Sequence, residues 1–555
     1  MARMIRRIGH ARNLVEKTLR RDLRRRRIRS ADSSANLRSP VARVRFDALA
    51  PHFERELPAL EVPMQSPRSF RAQLEEQAAR ALELHRVPYV RHRALSGTEI
   101  TFGVRDHDWE SMLSALRMSG LDLLYGGSSR RSHPSRPLYL DSVDMDAFRS
   151  SRTLYLLRPA VVRHDGVVIN RFGFENAVRI ERWSSGAPGT PLEGSSAPRL
   201  GSPRTGRIED EAFSAKSDPP ESVIAAREPL TADNLMEVTF PIDVVYTWVD
   251  GTDPAWIERK RTALDALAGE EMSDEAASDL RFVSHDELRY SLRALEMYAP
   301  WVRHVYLVTD RQRPEWLRED DPWVTVVDHT DIAPEGTALP TFNSQAIEAN
   351  LHRIDGLSEH FLYFNDDVFL SSPVGPELFF SPNGIASMYL SKAQVADGEP
   401  VLGEPASDSA GKNARVLVEE VCGRRVSRKL FHTPFPLRRS VSEEIEQRWP
   451  EVVRQTRLSQ FRRLEDVTLS GALHMNYAYA TARAVTRSIR YRYVNIGAMN
   501  SPQKLESLMQ DRHDLQTFCL NEASQELSPA RVDTAVRGFL RRRFPDVGSF
   551  EIPGR

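Results

Sequence analysis

Cysteine is nearly absent from this chain: Cys422 and Cys519 are the only two in 555 residues. Two thiols cannot build a disulfide framework, so a reducing compartment is expected. No apolar run is long enough to span a bilayer, and the start lacks the apolar core of a secretion signal. These absences predict a protein that stays in the cytoplasm. A large net charge is missing as well, the formal value being −1, so charge alone names no specific nucleic-acid partner. The remainder is ordinary for a globular protein, at 41% hydrophobic and 28% charged. The length exceeds what one hydrophobic core usually spans, which predicts two or more domains.

The near-zero charge conceals an asymmetry. Residues 1–29 hold eleven Arg and one Lys against Glu16 and Asp22, a net of +10 that leaves −11 for the rest. Ile5, Ile8, Val15, Leu19 and Leu23 fall near one helical stripe among these arginines. Such a helix would lie peripherally on the inner face of an anionic membrane, each basic residue contributing about 1 kcal/mol. Arg12 interrupts the stripe and no aromatic residue supports it. A solvated basic tail, binding nucleic acid at most non-specifically, is therefore the competing reading.

Residues 40–183 read as a small α+β domain of unknown role. Phe70–Leu84 and Trp109–Met118 have helical spacing, while Thr153–Leu157 and Val161–Ile169 read as strands with an Asp165-Gly166 turn. Residues 184–222 are dominated by Ser, Gly, Pro and charge, a composition that predicts a linker or long loop. From residue 241 to about 550 the pattern changes. Ile242–Val249 is a buried-strand run ending at Asp250-Gly251-Thr252-Asp253-Pro254, and a helix starts near His285-Asp286-Glu287 with Leu288, Leu292 and Leu295 inward. Strands at His304–Thr309, Val324–Val327 and Phe361–Phe364 follow, with a helix over Gln345–Ile354. This alternation predicts an α/β fold with a mostly parallel sheet flanked by helices. Ligands of such sheets bind at the carboxyl ends of the strands.

Asn365-Asp366-Asp367 directly follows the last of those strands. Adjacent carboxylates repel, and a hard divalent cation removes that cost while accepting substrate phosphates as further ligands. A capped or solvated turn is the bland alternative. The apolar flanks, Phe361–Phe364 before and Val368-Phe369-Leu370 after, sink the pair into the protein, where unpaired charge is expensive. At the end of the first strand, Gly251 would let the backbone approach a phosphate, and Trp248 or Tyr246 would pack on a base.

Four segments in order resemble one family. Asp243-Val244-Val245-Tyr246-Thr247-Trp248-Val249-Asp250-Gly251 is similar to the first region of the Stealth sugar-phosphate transferases. Glu287 to Arg293, Ala299 to Arg303, Leu339 to Ser344 and Phe364 to Asp367 resemble the second. Phe431-His432-Thr433-Pro434 through Arg462-Arg463-Leu464-Glu465-Asp466 resembles the third, and Cys519-Leu520-Asn521-Glu522 the fourth. The family includes bacterial capsular and exopolysaccharide phosphotransferases and the catalytic subunit of the animal enzyme that tags lysosomal glycoproteins.

The resemblance implies a nucleotide-sugar transferase-like (GT-A-like) fold, a UDP-sugar donor, a polysaccharide or glycan acceptor, and release of UMP. Asp366 and Asp367 would hold Mg2+ or Mn2+, and His432 is the first choice for the base, with His474 in reserve. Thr247, Trp248, Asp250, Gly251, Arg289, Arg462, Arg463 and Asn521 are the expected donor-binding residues. Arg293 is a further candidate phosphate clamp, or surface charge. Two rivals stay open: a metal-dependent glycosyltransferase that releases UDP, and a non-catalytic glycan-binding or membrane-surface scaffold.

Overall fold

The computed structural model describes residues 42–46, 55–93, 100–118, 123–127, 138–139, 153–173, 176–185, 192–193, 235–267, 282–510 and 515–555. Residues 1–29, the expected basic helix, and most of the expected linker at 184–222 lie outside them.

In the N-terminal part, Pro67–Leu84 is helical because Ser66 caps it, accepting from Ser69 N at 3.1 Å, and Pro67 stands at its first position. The helix and its neighbour Trp109–Met118 pack against Phe102, Val104, Leu154, Leu156, Val178 and Ile180. Those residues belong to a mixed sheet ordered Val90–Arg93, Ile100–Arg105, Val178–Ser185, Thr153–Leu157, Leu123–Gly127 and Leu138–Tyr139. Ala160–His164 and Val167–Phe172 form a hairpin whose turn residues, Asp165 and Gly166, have φ of 50° and 77°. That is the left-handed pair a two-residue hairpin requires.

The C-terminal part is a mixed α/β unit around one large core. Its central sheet is ordered β3-β2-β1-β4-β6, with β1 Ile242–Thr247, β2 Val305–Thr309, β3 Val324–Asp328, β4 His360–Asn365 and β6 Phe435–Arg438. The first four run parallel; only the edge strand β6 is antiparallel. β1 is buried at all positions but its last, as expected of a parallel strand covered on both faces. It pairs in register with β4 so that Thr247 stands opposite Asn365. Asp243, fully buried near its start, accepts from Arg303 Nε at 2.7 Å and from Ser358 N at 2.7 Å.

Two elements stop earlier than the sequence suggests. β1 ends at Thr247 because Asp250 N leaves the sheet to donate to Gln312 Oε1 at 2.8 Å. The helix expected over Gln345–Ile354 is only α3, Ser344–Glu348, followed by a 3-10 turn at Leu351–Arg353. Asn350 Nδ2 donates to Ala346 O at 3.0 Å, and this side-chain bond competes with continued helix.

A second, three-stranded sheet ordered β5-β8-β7 sits beyond the carboxyl end of β4, with β5 Val368–Leu370, β7 Tyr491–Asn495 and β8 Thr517–Asn521. β5 follows β4 after only Asp366 and Asp367. The helix α2, Glu287–Tyr298, packs on β5, and Ser291 Oγ donates to Val368 O at 2.6 Å. Helix α1, Pro254–Ala266, is capped by Asp253, which accepts from Ala255 N at 2.9 Å.

The last residues clip the back of α2. Glu551 is fully buried and receives Arg289 Nε at 2.5 Å, Arg293 Nε at 2.5 Å, Arg293 Nη2 at 2.8 Å and Gly548 N at 2.7 Å. The same segment reaches the N-terminal part, where Val547 N donates to Ile169 O at 2.7 Å and Arg171 pairs with Asp546 at 2.7 Å. Removing one partner from a buried ion pair strands the other charge. Glu551→Ala is expected to cost about 3–5 kcal/mol of stability. Chemical denaturation of the two proteins checks this, and an unchanged midpoint would show the clip to be dispensable.

Candidate functional site

The chain turns at the end of β4 and presents Asp366 and Asp367 between the two sheets. Asp367 is tied down by two elements, β8 and the segment leading into β6. Its backbone oxygen accepts from Leu520 N at 2.9 Å. Its Oδ2 accepts from Cys519 Sγ at 3.3 Å and from Asn521 Nδ2 at 3.2 Å, both on β8. Its Oδ1 lies 3.4 Å from His432 Nε2, on the segment leading into β6. Asn521 is held in turn, since its Oδ1 accepts from Tyr493 OH on β7 at 3.0 Å.

The two neighbouring carboxyls titrate in opposite directions. Burial, reinforced by the Asp367 charge, pushes Asp366 up to about 7. Burial also acts to raise Asp367, but the His432 charge and the contacts from His432, Asn521 and Cys519 hold it below the usual range. For His432, burial opposes the charged ring and Asp367 overcomes it, raising the imidazole above its ordinary value. This is the pattern of split titrations that marks acid–base sites.

More acid surrounds the pair. Glu287, the first residue of α2, is buried and pushed up to about 8 by burial and by Asp366. Glu348, at the end of α3, is raised to about 7 by burial, with Arg462 and His432 pulling it down. Tyr363 OH donates to Glu348 Oε1 at 3.4 Å and shares a 3.0 Å bond with Thr247 Oγ1. His285 is buried beside this group, its ring 3.0 Å from Asp533 Oδ1 and 3.6 Å from Glu522 Oε2.

The site fits a divalent cation. Asp367 Oδ1 and His432 Nε2 are buried atoms that make no hydrogen bond. Asp367, His432 and Cys519 offer ligand atoms within 4.8 Å of one another. A cation there would offset the like charge that burial makes expensive.

The expected site residues separate into groups. Asp367, His432 and Asn521 come together with Asp366 beside Asp367, and Thr247 is bonded to Tyr363, which also reaches Glu348. Arg462 is drawn in beside α3, donating to Ser344 Oγ at 3.1 Å, and acts on Glu348. Trp248 is partly buried against the core. Asp250 Oδ1 is taken by Thr252 N at 2.8 Å and Thr252 Oγ1 at 2.6 Å. Gly251 is required by a close approach of protein: a Cβ there would lie 2.3 Å from Phe282 O. Arg463 is exposed, and its backbone N donates to the buried Asp466 at 2.8 Å.

Arg289 is not brought to the carboxylates. It and Arg293 stand one turn apart on the face of α2 that meets Glu551, whereas Glu287 and Ser291 stand on the face toward the site. Asp466 binds Asn343 Nδ2 and Ser459 Oγ, each at 2.7 Å, and so fastens one segment to another. Sequence reasoning missed Glu287, Glu348, His285 and the thiol of Cys519. The only signal was that Glu287 and Cys519 lie within the Stealth-like motifs, where neither had a role.

Comparison with known proteins follows the same geography. Stealth protein conserved region 1 matches residues 240–268, region 2 matches 281–388 and region 3 matches 431–479. An exopolysaccharide phosphotransferase of Streptomyces coelicolor is 39% identical over 530 residues, covering 91% of this chain and 86% of that protein. The chain belongs to the Stealth family. Other relatives are matched over less of their length. A second S. coelicolor exopolysaccharide phosphotransferase is 44% identical over 63% of this chain and 58% of its own. The exopolysaccharide phosphotransferase CpsY of Mycobacterium leprae is 38% identical over 56% of each. Among solved structures, the galactosyltransferase LgtC with donor and acceptor sugar analogs covers 55% of this chain and 95% of its own, at 9% identity and TM-score 0.27. The bifunctional glycosyltransferase WbbM covers 57% and 53%, at 8% identity and TM-score 0.31. Likeness at that level decides nothing; the Stealth relatives do. This Stealth protein is an enzyme that transfers phosphate-containing groups. The fourth resembling segment, Cys519–Glu522, lies outside the matched regions, and the structure brings it to Asp367.

His474, the reserve base, has a different place. It is fully buried in a short helix, His474–Ala480, where Nε2 accepts from Arg438 N at 3.2 Å and Nδ1 lies 3.1 Å from Ser442 Oγ. Burial, then the charge of Arg483, depresses it to about 3. A depressed histidine stays neutral in the fold while the unfolded chain takes up the proton. Its contribution is therefore complete above its ordinary pKa and is lost as pH falls toward 3. The stability difference between wild type and His474→Gln, from urea unfolding, is expected to shrink from pH 7 to pH 4. A pH-independent difference would contradict the buried neutral ring.

Proposed function

We propose that this Stealth enzyme transfers a sugar-1-phosphate from a UDP-sugar to a hydroxyl of a cell-envelope or exopolysaccharide glycan, releasing UMP. The observation that supports it most is the Asp366–Asp367 pair at the end of β4 with His432 Nε2 3.4 Å from Asp367. Phosphoryl transfer asks a protein chiefly to position the groups and neutralise phosphate oxygens. Asp366 and Asp367 would hold Mg2+ or Mn2+, and the cation would supply charge neutralisation at the diphosphate. His432, once neutral, is placed to accept the proton of the attacking hydroxyl as the new P–O bond forms. The bond from the same phosphorus to the UMP oxygen breaks, and UMP carries away that electron pair. Arg462, beside α3, would contact phosphate oxygens. Tyr363 and Glu348 keep Thr247 and the strand end in place.

A reducing, cytoplasmic location fits two cysteines that are both free thiols. No helix among the described residues is long and apolar enough to cross a membrane. Peripheral attachment through residues 1–29 remains part of the proposal. The glycosyltransferase alternative uses the same carboxylates but attacks the anomeric carbon and releases UDP.

The test is the nucleotide released from a panel of UDP-sugars with Mg2+ or Mn2+ and envelope glycan. UMP with phosphate retained in the polymer is expected; UDP would overturn the reading. With the productive donor, Asp367→Asn is expected to lower kcat by about 10³-fold and His432→Gln by roughly 10²–10⁴-fold. Retention of near-full turnover in Asp367→Asn would remove the carboxylate pair from the chemistry.

A further inference from the structure

The small sheet β5-β8-β7 has two unlike faces. Phe369 on β5, Phe518 and Leu520 on β8 and Val494 on β7 are buried, and Phe518 also meets Phe539 and Phe544. Pairing sets Tyr491 opposite Thr517, Tyr493 opposite Cys519 and Asn495 opposite Asn521. Side chains alternate along a strand, so these residues share the other face, the one that reaches Asp367 through Cys519 and Asn521. β7 is the outer strand, and Tyr493 is 43% exposed there while its hydroxyl donates to Asn521 Oδ1 at 3.0 Å. Beyond it, Asn495 Oδ1 accepts from Gly497 N at 3.2 Å and from Ala523 N at 3.1 Å, and its Nδ2 donates to Ser524 Oγ at 2.9 Å. Those bonds fasten the ends of β7 and β8 together. The Tyr493 ring is therefore an open aromatic surface on a rigid strand, anchored by its polar end beside the carboxylates.

We propose that the Tyr493 ring is an acceptor subsite, stacking on a pyranose unit of the glycan whose hydroxyl is presented to His432. The face of an aromatic ring is apolar and electron-rich, so it suits the C–H face of a sugar and leaves the sugar's hydroxyls to water and polar side chains. Position selects the acceptor over the donor. Thr247 and Arg462, the groups placed for the donor, stand at the end of β1 and beside α3, whereas β7 is the strand of the second sheet farthest from β5. The base side leads to Tyr493 instead. Phe431, next to His432 in the chain, packs on Tyr491 with ring centroids 5.0 Å apart. Tyr493 follows two residues later on the same face, so the aromatic wall that starts beside the base ends at the exposed ring. This rests on the reading of His432 as the base that meets the acceptor hydroxyl, and it adds the surface that holds the acceptor there.

Two variants that both lack the hydroxyl isolate the ring. Tyr493→Phe and Tyr493→Leu each lose the bond to Asn521, and only the first keeps an aromatic face. The probe is a set of oligosaccharides cut from the envelope glycan used with the UDP-sugar panel, titrated calorimetrically into the full-length protein without nucleotide. Tyr493→Leu is expected to bind them about 10-fold more weakly than Tyr493→Phe. Tyr493→Trp, which restores an aromatic face of another shape, should bind as Tyr493→Phe does. In turnover the same contrast should appear in KM for the glycan, with kcat and KM for the UDP-sugar alike in the Phe and Leu variants. No binding by the wild type, equal affinities in Tyr493→Phe and Tyr493→Leu, or a Tyr493→Trp protein as weak as Tyr493→Leu would each overturn the proposal. The binding contrast in a protein that releases UDP, or no nucleotide, would sink the sugar-1-phosphate reading and leave the glycan subsite standing. UMP release without the contrast would do the reverse.

Discussion

The structure is organised by the cost of burying two adjacent carboxyls at the end of a parallel strand. Asp366 and Asp367 cannot both be charged in that place without compensation. The protein divides them. Asp367 receives a cationic ring and two side-chain donors, and Asp366 is left with burial and the Asp367 charge, which push it up to about 7. The compensating groups come from far along the chain: His432 from the segment before β6, and Cys519 and Asn521 from β8. The small sheet β5-β8-β7 exists in this position because β5 continues directly from the pair and β8 pairs with it. The second sheet is therefore the device that holds the carboxylate corner of the first.

A second layer of acid follows the same logic. Glu287 and Glu348 are buried and pushed up to about 8 and 7, so they add little negative charge around Asp366 and Asp367. Each stands at a helix end, and α2 packs on β5. Behind Glu287, Ser291 donates to Val368 O at 2.6 Å and meets Tyr246 OH at 2.8 Å, joining α2, β1 and β5 in one polar connection. Such a connection is costly if half satisfied and fixes geometry if complete. Here it is complete at Ser291, one turn from the site.

The fold was legible because parallel strands announce themselves as apolar runs, and Phe361–Phe364 followed by two aspartates reads as a buried strand ending at a charged corner. His432 and Asn521 were legible only through resemblance, since nothing in Phe431-His432-Thr433 says which carboxylate it will meet 65 positions earlier. Arg289 misled for a physical reason: periodicity gives the faces of α2, but not that Glu551 covers one of them. Gly251 misled similarly, since a close backbone approach was read as a phosphate and is Phe282. Cys519 stood in the fourth resembling segment without a role, and only pairing of β5 with β8 places its sulfur on Asp367.

The arginine face of α2 gives the C-terminal segment a role beyond packing. A helix is stiff over its three turns, so whatever fixes one face sets where the other face stands. Glu551 receives four donor contacts from Arg289, Arg293 and Gly548, and Ser549 N donates to Glu296 Oε2 at 3.1 Å. The segment that makes these bonds also carries Asp546 and Val547, which bind Arg171 and Ile169. One short stretch thus bonds the helix that presents Glu287 and the hairpin of the N-terminal part. The contacts to the hairpin are only partly buried, so the rigid part of this tie is the Glu551 group itself, where loss of either arginine would leave charge unpaired in the interior.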